Sequence, residues 1–240
     1  MTMLENLSTI EQTLKNWKYR QNNVGDWKCS RVGCATEIFA DLLENKEIPD
    51  PFIDLNEKEV QWVGEKDWEY KNEFQVDINA ARLKQHQIIF EGLDTFATVF
   101  LNGKKILESN NMFRTYKVDV KKIIKFGETN NITIVFRSAL LEGRNLEKEV
   151  GKLKCFNGET SRLQVRKAQY HYGWDWGPIL MSCGPWKPVR VVSYNNIIQD
   201  VYVKTNVTEK LQASIDILTE VKIANSENLS IEIQDPMVII

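Results

Sequence analysis

The stretch HQIIFEGLDTFATVFLNGKKILES (86–109) decides how this chain folds. HQIIFEGL (86–93) and TFATVFL (95–101) are apolar runs parted only by Asp94, and Asn102-Gly103 then leads into KKILES. Asn-Gly between two apolar runs is the strongest short-range hairpin signal, because both central residues must take φ > 0. Outward from this point the same pattern repeats. DWEYKNEF (67–74) alternates aromatic with charged residues, as a half-buried strand does. NNITIVFRSAL (130–140), PVRVVSY (188–194), DVYVKTNV (200–207) and LQASIDIL (211–218) continue the series. Many short strands at near-regular spacing predict an antiparallel β-sandwich rather than βαβ units.

Two segments predict helix. EIFADLLENK (37–46) puts Ile38, Leu42 and Asn45 on one side with Phe39 and Leu43 adjacent. It stops before Ile48-Pro49-Asp50-Pro51, where two prolines forbid continuation. LLEGRNLEKEVGKL (140–153) is charged and bounded by Gly151, although Gly143 weakens it. Past Tyr194 the pattern starts afresh, with two strands around a turn at 207–210 and a third, LSIEIQDPMVII (229–240), after the polar NSEN. Three strands are too few for a sandwich of about seven. The expected division is therefore a first domain over 1–194 and the opening of an incomplete second one over 195–240.

Composition narrows the function classes. Lys+Arg total 31 against 33 Asp+Glu, so no basic excess steers the chain to nucleic acid or an acidic membrane surface. The small cluster Lys121, Lys122 and Lys125 reads as a solvated turn face. No apolar run approaches the ~20 residues of a membrane span, and the N-terminus shows no leader-like apolar core of ~7–15 residues. We expect a cytosolic protein, with a lysosomal or secreted location left open should the N-terminus be incomplete. The N-x-S/T patterns at Asn6, Asn131, Asn206 and Asn228 are then chance. Cys29, Cys34, Cys155 and Cys183 lie at irregular spacings, which predicts four reduced, mostly buried thiols. With only His86 and His171 and no paired ligand spacing, neither a metal nor another cofactor is expected.

The chemistry concentrates in RKAQYHYGWDWGPILMSCGPWKP (166–188). In a strand, Trp174 and Trp176 would share a face while Asp175 pointed opposite. Gly173, Gly177 and Pro178 predict instead an irregular loop that presents all three side chains. Indole faces match the C–H faces of pyranose rings, and a carboxylate accepts two sugar hydroxyls at once. On composition alone tryptophans are more often core than ligand platform; the acid between them brings the two readings about even, since a buried carboxylate would need partners.

KAQYHYGWDWGP together with CGPWKPV closely resembles a motif of the β-mannosidases of glycoside hydrolase family two. Further segments agree in the family's order: 41–70, with DPF, NE, WV and DWEY; 90–120, with GLDTFATVFLNG and NMFR; and 136–151. The resemblance covers nearly the whole chain. It implies a jelly-roll, galactose-binding-like β-sandwich with a few short helices, then an immunoglobulin-like sandwich, here incomplete. It further implies a barrel in which two glutamates perform retaining hydrolysis of terminal β-mannosides. That barrel lies outside this resemblance, so no catalytic residue is assigned. Glu142 with Glu147, or Glu65 with Glu69, lie on charged stretches that read as solvated faces. Carried over residue by residue, Asp175 would contact mannose hydroxyls and Trp174 and Trp176 would wall the pocket. Arg166, Tyr170, His171 and Tyr172 would pack and orient the loop. One departure is Cys34-Ala35-Thr36-Glu37-Ile38-Phe39, where many members carry a Val-Pro-Gly-like turn and a histidine.

Three readings of function follow: the non-catalytic N-terminal part of a β-mannosidase acting on β-mannosides or mannose-containing oligosaccharides, a stand-alone carbohydrate-binding module, or an inactive remnant. Open strand edges around 211–240 predict self-association.

Overall fold

The computed structural model describes residues 9–31, 33–156 and 158–223. Its strands are β1 (Thr9–Thr13), β2 (Lys18–Gln21), β3 (Val24–Cys29), β4 (Trp68–Gln75), β5 (Gln85–Phe90) and β6 (Phe96–Leu101). They continue with β7 (Lys104–Asn110), β8 (Tyr116–Asp119), β9 (Thr129–Arg137), β10 (Val189–Tyr194), β11 (Asn196–Val207) and β12 (Ala213–Ile223). Helices α1 (Ile38–Glu44), α2 (Asn56–Glu59) and α3 (Ala139–Val150) lie in the connections. Among the described residues no helix is long and apolar enough to cross a membrane.

One sheet has the order β1-β10-β5-β8 and the other β3-β2-β4-β9-β6-β7, with every strand pair antiparallel. The Asn-Gly hairpin forms as expected: Asn102 (φ 50°) and Gly103 (φ 79°) join β6 to β7. The runs on either side of Asp94 do not pair with each other. β5 and β6 belong to opposite sheets, so Asp94 sits where the chain crosses between layers, and its peptide bond to Thr95 is cis.

The core fills the space between the sheets. Along β9, Ile132, Ile134 and Phe136 are buried and alternate with more exposed neighbours, the period-2 signature of a strand with one buried face. They meet Ile88 and Phe90 of β5 and Val189 and Val191 of β10 in one cluster. β5 is buried along nearly its whole length because its outer face is covered too: Ile89 packs with Val192, Tyr194 and Ile197. β11 and β12 form a separate two-stranded ribbon after Tyr194. The third strand expected at 229–240, and the patterns at Asn6 and Asn228, lie outside the described residues.

Gly143, a poor helix former, has a packing reason to sit in α3: a Cβ there would lie 2.8 Å from Val165 Cγ2 and 3.1 Å from the Ser161 carbonyl. Other expectations need correction. The four thiols are not mostly buried: Cys183 alone is, with Cys29 exposed and Cys34 and Cys155 between. Glu69 is no solvated face either. It is buried and accepts from Arg20 Nε at 2.6 Å.

Two long connections matter for function. Residues 30–67, between β3 and β4, carry α1 and α2. Residues 138–188, between β9 and β10, carry α3 and the Trp-Asp-Trp segment. They are laced together, with Ile38 N donating to Cys183 O (3.0 Å) and Thr36 N to Pro185 O (3.0 Å).

Candidate functional site

The site is built on the second connection. The chain enters through Arg166–Ala168, where Met112 N donates to Arg166 O (3.0 Å) and Trp186 Nε1 to Met112 O (3.1 Å). A short 3₁₀ turn, Gln169–Tyr172, ends at Gly173, whose φ of 76° and ψ of 174° belong to a region that is essentially glycine's alone. Trp174 N then donates to Gly177 O at 3.0 Å, and Gly177 N returns the bond to Trp174 O at 3.4 Å. This closes a four-residue turn. Trp174 is 49% exposed, Trp176 84%, and Asp175 is exposed between them. The turn therefore presents all three side chains, as the flanking glycines and proline predict.

The neighbouring connection clamps the turn's return limb. Glu57 Oε1 accepts from Ile179 N (2.8 Å), and Gln61 Nε2 donates to Ile179 O (2.9 Å). The Asn-Glu pair noticed in the sequence thus has a structural task. Asn56 Nδ2 holds Asp50 O at 2.9 Å, and Glu57 holds the loop. The departure at Cys34–Phe39 is absorbed locally: Glu37 caps α1 through Phe39 N (3.0 Å) and Ala40 N (2.6 Å). Thr36 Oγ1 donates to the buried Asp41 at 2.6 Å, which also accepts from Tyr70 (2.7 Å) and from Arg31 N (2.8 Å). Burial pushes the Asp41 carboxyl upward against the pull of these donors.

Two clefts flank Trp176. One, of about 440 Å³, is lined by Asp54, Glu57, Trp174, Asp175 and Trp176 together with Phe52. The other, of about 470 Å³, is mainly apolar, with Phe39, Leu43, Phe52, Tyr170, Trp176 and Pro178. The first sets three carboxylates, Asp54, Glu57 and Asp175, beside both loop indoles, whereas the second has the single carboxylate Glu37 beside Trp176, which makes the first better suited to a polyhydroxylated ring. Neither Glu142 with Glu147 nor Glu65 with Glu69 lines either cleft. Among the described residues no group of three or more His, Cys, Asp or Glu is arranged to hold a metal ion.

Of the residues expected to orient the loop, Arg166 and Tyr170 are exposed, while Tyr172 is buried with Phe96, Ala139, Val165 and Met181. His171 packs inward. Its Nδ1 lies 2.9 Å from Leu180 O, so this nitrogen carries the proton and donates it. Burial, assisted by the Lys167 ammonium and opposed by Asp94, pushes the imidazole down to about 4. Sequence reasoning did not find Asp94 and Lys167, which form a buried ion pair below the loop. The dense family motifs around both positions were the available signal.

The model of the glycosyl hydrolase 2 galactose-binding domain-like family matches residues 17–187. The chain belongs to this family. Its relatives include the β-mannosidase B of Thermothelomyces thermophilus, 46% identical over 201 residues, which cover 82% of this chain and 23% of that protein. The β-mannosidase B of Emericella nidulans is 45% identical over 174 residues, covering 72% of this chain and 20% of the relative. The crystal structure of the β-D-mannosidase from Dictyoglomus thermophilum superposes with a TM-score of 0.82 at 34% identity, over 89% of this chain and 26% of that one. The family member thus spans about a quarter of the length of these relatives, and its sandwich is the galactose-binding-like jelly roll that the family resemblance implies.

Proposed function

We propose that this chain supplies the non-catalytic N-terminal portion of a β-mannosidase-like glycoside hydrolase. In this reading the Trp174-Asp175-Trp176 turn forms one wall of the pocket for a terminal β-D-mannose residue. The observation that carries the reading is the turn itself, where two indoles and a carboxylate stand exposed together at the lip of a polar cleft. Indole rings offer large, rigid apolar faces, and Asp175 can accept from two ring hydroxyls. Similarity to relatives named β-mannosidase B, each several times longer, supports the choice of sugar. Retaining hydrolysis requires two carboxyls ~5–5.5 Å apart, and the proposal assigns both to a barrel outside these 240 residues. Residues 195–240 are, in the same proposal, the first strands of an immunoglobulin-like domain.

The purified chain should not hydrolyse an aryl β-mannoside. Turnover abolished by mutating one of its own carboxylates would overturn the proposal. In calorimetric titration with mannose or mannobiose, half a pocket should bind weakly, with a Kd of about 1 mM or more, and Asp175→Ala should abolish the signal. Micromolar affinity lost in Asp175→Ala would favour a stand-alone binding module instead.

A further inference from the structure

Beneath the Trp174–Gly177 turn lies a set of buried polar groups that contact with a sugar does not explain. The Lys167 side chain is 0% exposed and that of Asp94 3%. Lys167 Nζ donates to Asp94 Oδ2 and, at 2.7 Å, to the Ser182 carbonyl. Asp94 comes from the crossover between β5 and β6 and exchanges backbone bonds with Gly184, at 3.0 and 3.1 Å. Its other carboxylate oxygen accepts from Thr95 Oγ1. Ser182 Oγ donates to Glu37, the cap of α1. His171 Nε2 stands 3.6 Å from the same Asp94 oxygen that Lys167 holds.

Lys167 therefore joins three pieces of chain through one ammonium, beside the backbone bonds of Asp94 with Gly184 and the His171–Leu180 contact. It lies on the limb entering the Trp-Asp-Trp turn. Ser182 lies on the limb leaving it, 15 residues on, and Asp94 on the sandwich body, 73 residues away in sequence. We propose that Lys167 is a positioning residue of this turn, its single ammonium tying the entering limb to Asp94 and to the Ser182 carbonyl of the leaving limb. The consequence for sugar rests on the proposed function above, whereas the positioning does not. A buried ion pair is not required for stability as such, since apolar residues of similar volume often replace one without loss. Such replacements have no directionality. The ammonium binds only when the Ser182 carbonyl and the Asp94 carboxylate both point at it, which sets where the turn emerges.

The test separates position from stability. The chain contains 7 tryptophans, and 5-fluorotryptophan labelling with Trp174→Phe and Trp176→Phe variants assigns the two loop resonances. Lys167→Met alone leaves Asp94 buried without its counter-charge and is prone to unfold. The double variant Asp94→Leu/Lys167→Met removes both charges and should fold with a Tm near that of the wild type. In it the Trp174 and Trp176 lines should broaden or split while those of the buried Trp17 and Trp68 hold. Affinity for methyl β-mannoside should fall by about tenfold or more. Unchanged loop lines in the folded double variant would overturn the proposal. So would a double variant that fails to fold, because the pair would then be a requirement of folding. A wild type that binds no mannoside, with loop lines that still respond to the double substitution, would refute the sugar reading and leave the positioning role standing.

Discussion

His171→Gln isolates the electrostatics under the loop. In the folded chain the imidazole is pushed from 6.5 down to about 4, chiefly by burial, and its side chain is only 14% exposed. The unfolded chain takes up its proton at the higher pH, so unfolding binds a proton throughout the window between the two values. Stability is then fully present above pH 6.5 and is lost as pH falls toward 4. At ~1.4 kcal/mol per pH unit, the window corresponds to about 3 kcal/mol. For a domain of this size that is a fall in Tm of roughly 6–12 °C. His86 is also held low by burial and adds to the wild-type slope. The quantity to measure is therefore the wild-type Tm minus that of His171→Gln, by circular dichroism, from pH 6.5 to 4. The difference should drop steadily with acidification, and a flat one would refute the neutral, buried imidazole.

Gly173→Ala forces a side chain into glycine-only backbone space and places its Cβ 2.5 Å from Ile179 Cγ1. A cost of about 2 kcal/mol should lower the Tm by roughly 4–8 °C on thermal scanning. Phe136→Ala empties a fully buried core position and should cost about 3–5 kcal/mol in urea unfolding with the slope unchanged. The β11–β12 ribbon exposes Tyr202, Leu211 and Leu218. Light scattering should therefore show concentration-dependent association, and a monodisperse monomer would count against it.

The strands that sequence reading finds are those with a two-sided or strictly alternating apolar pattern, such as β5, β6 and β9. β1, β3 and β8 escape it for a physical reason. Each lies at the edge of its sheet, with little burial to select apolar residues. β2 is internal but only four residues long, with Tyr19 its one buried side chain. Within the site, the aromatic density of 174–176 is visible at once because it is contiguous. The support beneath it is not. Asp94 lies 73 residues before Lys167, and Lys167 follows an exposed arginine in a dipeptide that looks like ordinary surface. Glu57 and Ser182 are likewise polar residues whose task appears only once two distant connections meet.

The most direct test of the account is a mannose titration of the 5-fluorotryptophan-labelled chain followed by ¹⁹F NMR. The account predicts saturable shifts at Trp174 and Trp176, with Kd of about 1 mM or weaker, steady lines from the tryptophans away from the turn, and no response in Asp175→Ala. Shifts centred on another tryptophan, or no shift at the turn at any accessible sugar concentration, would contradict it.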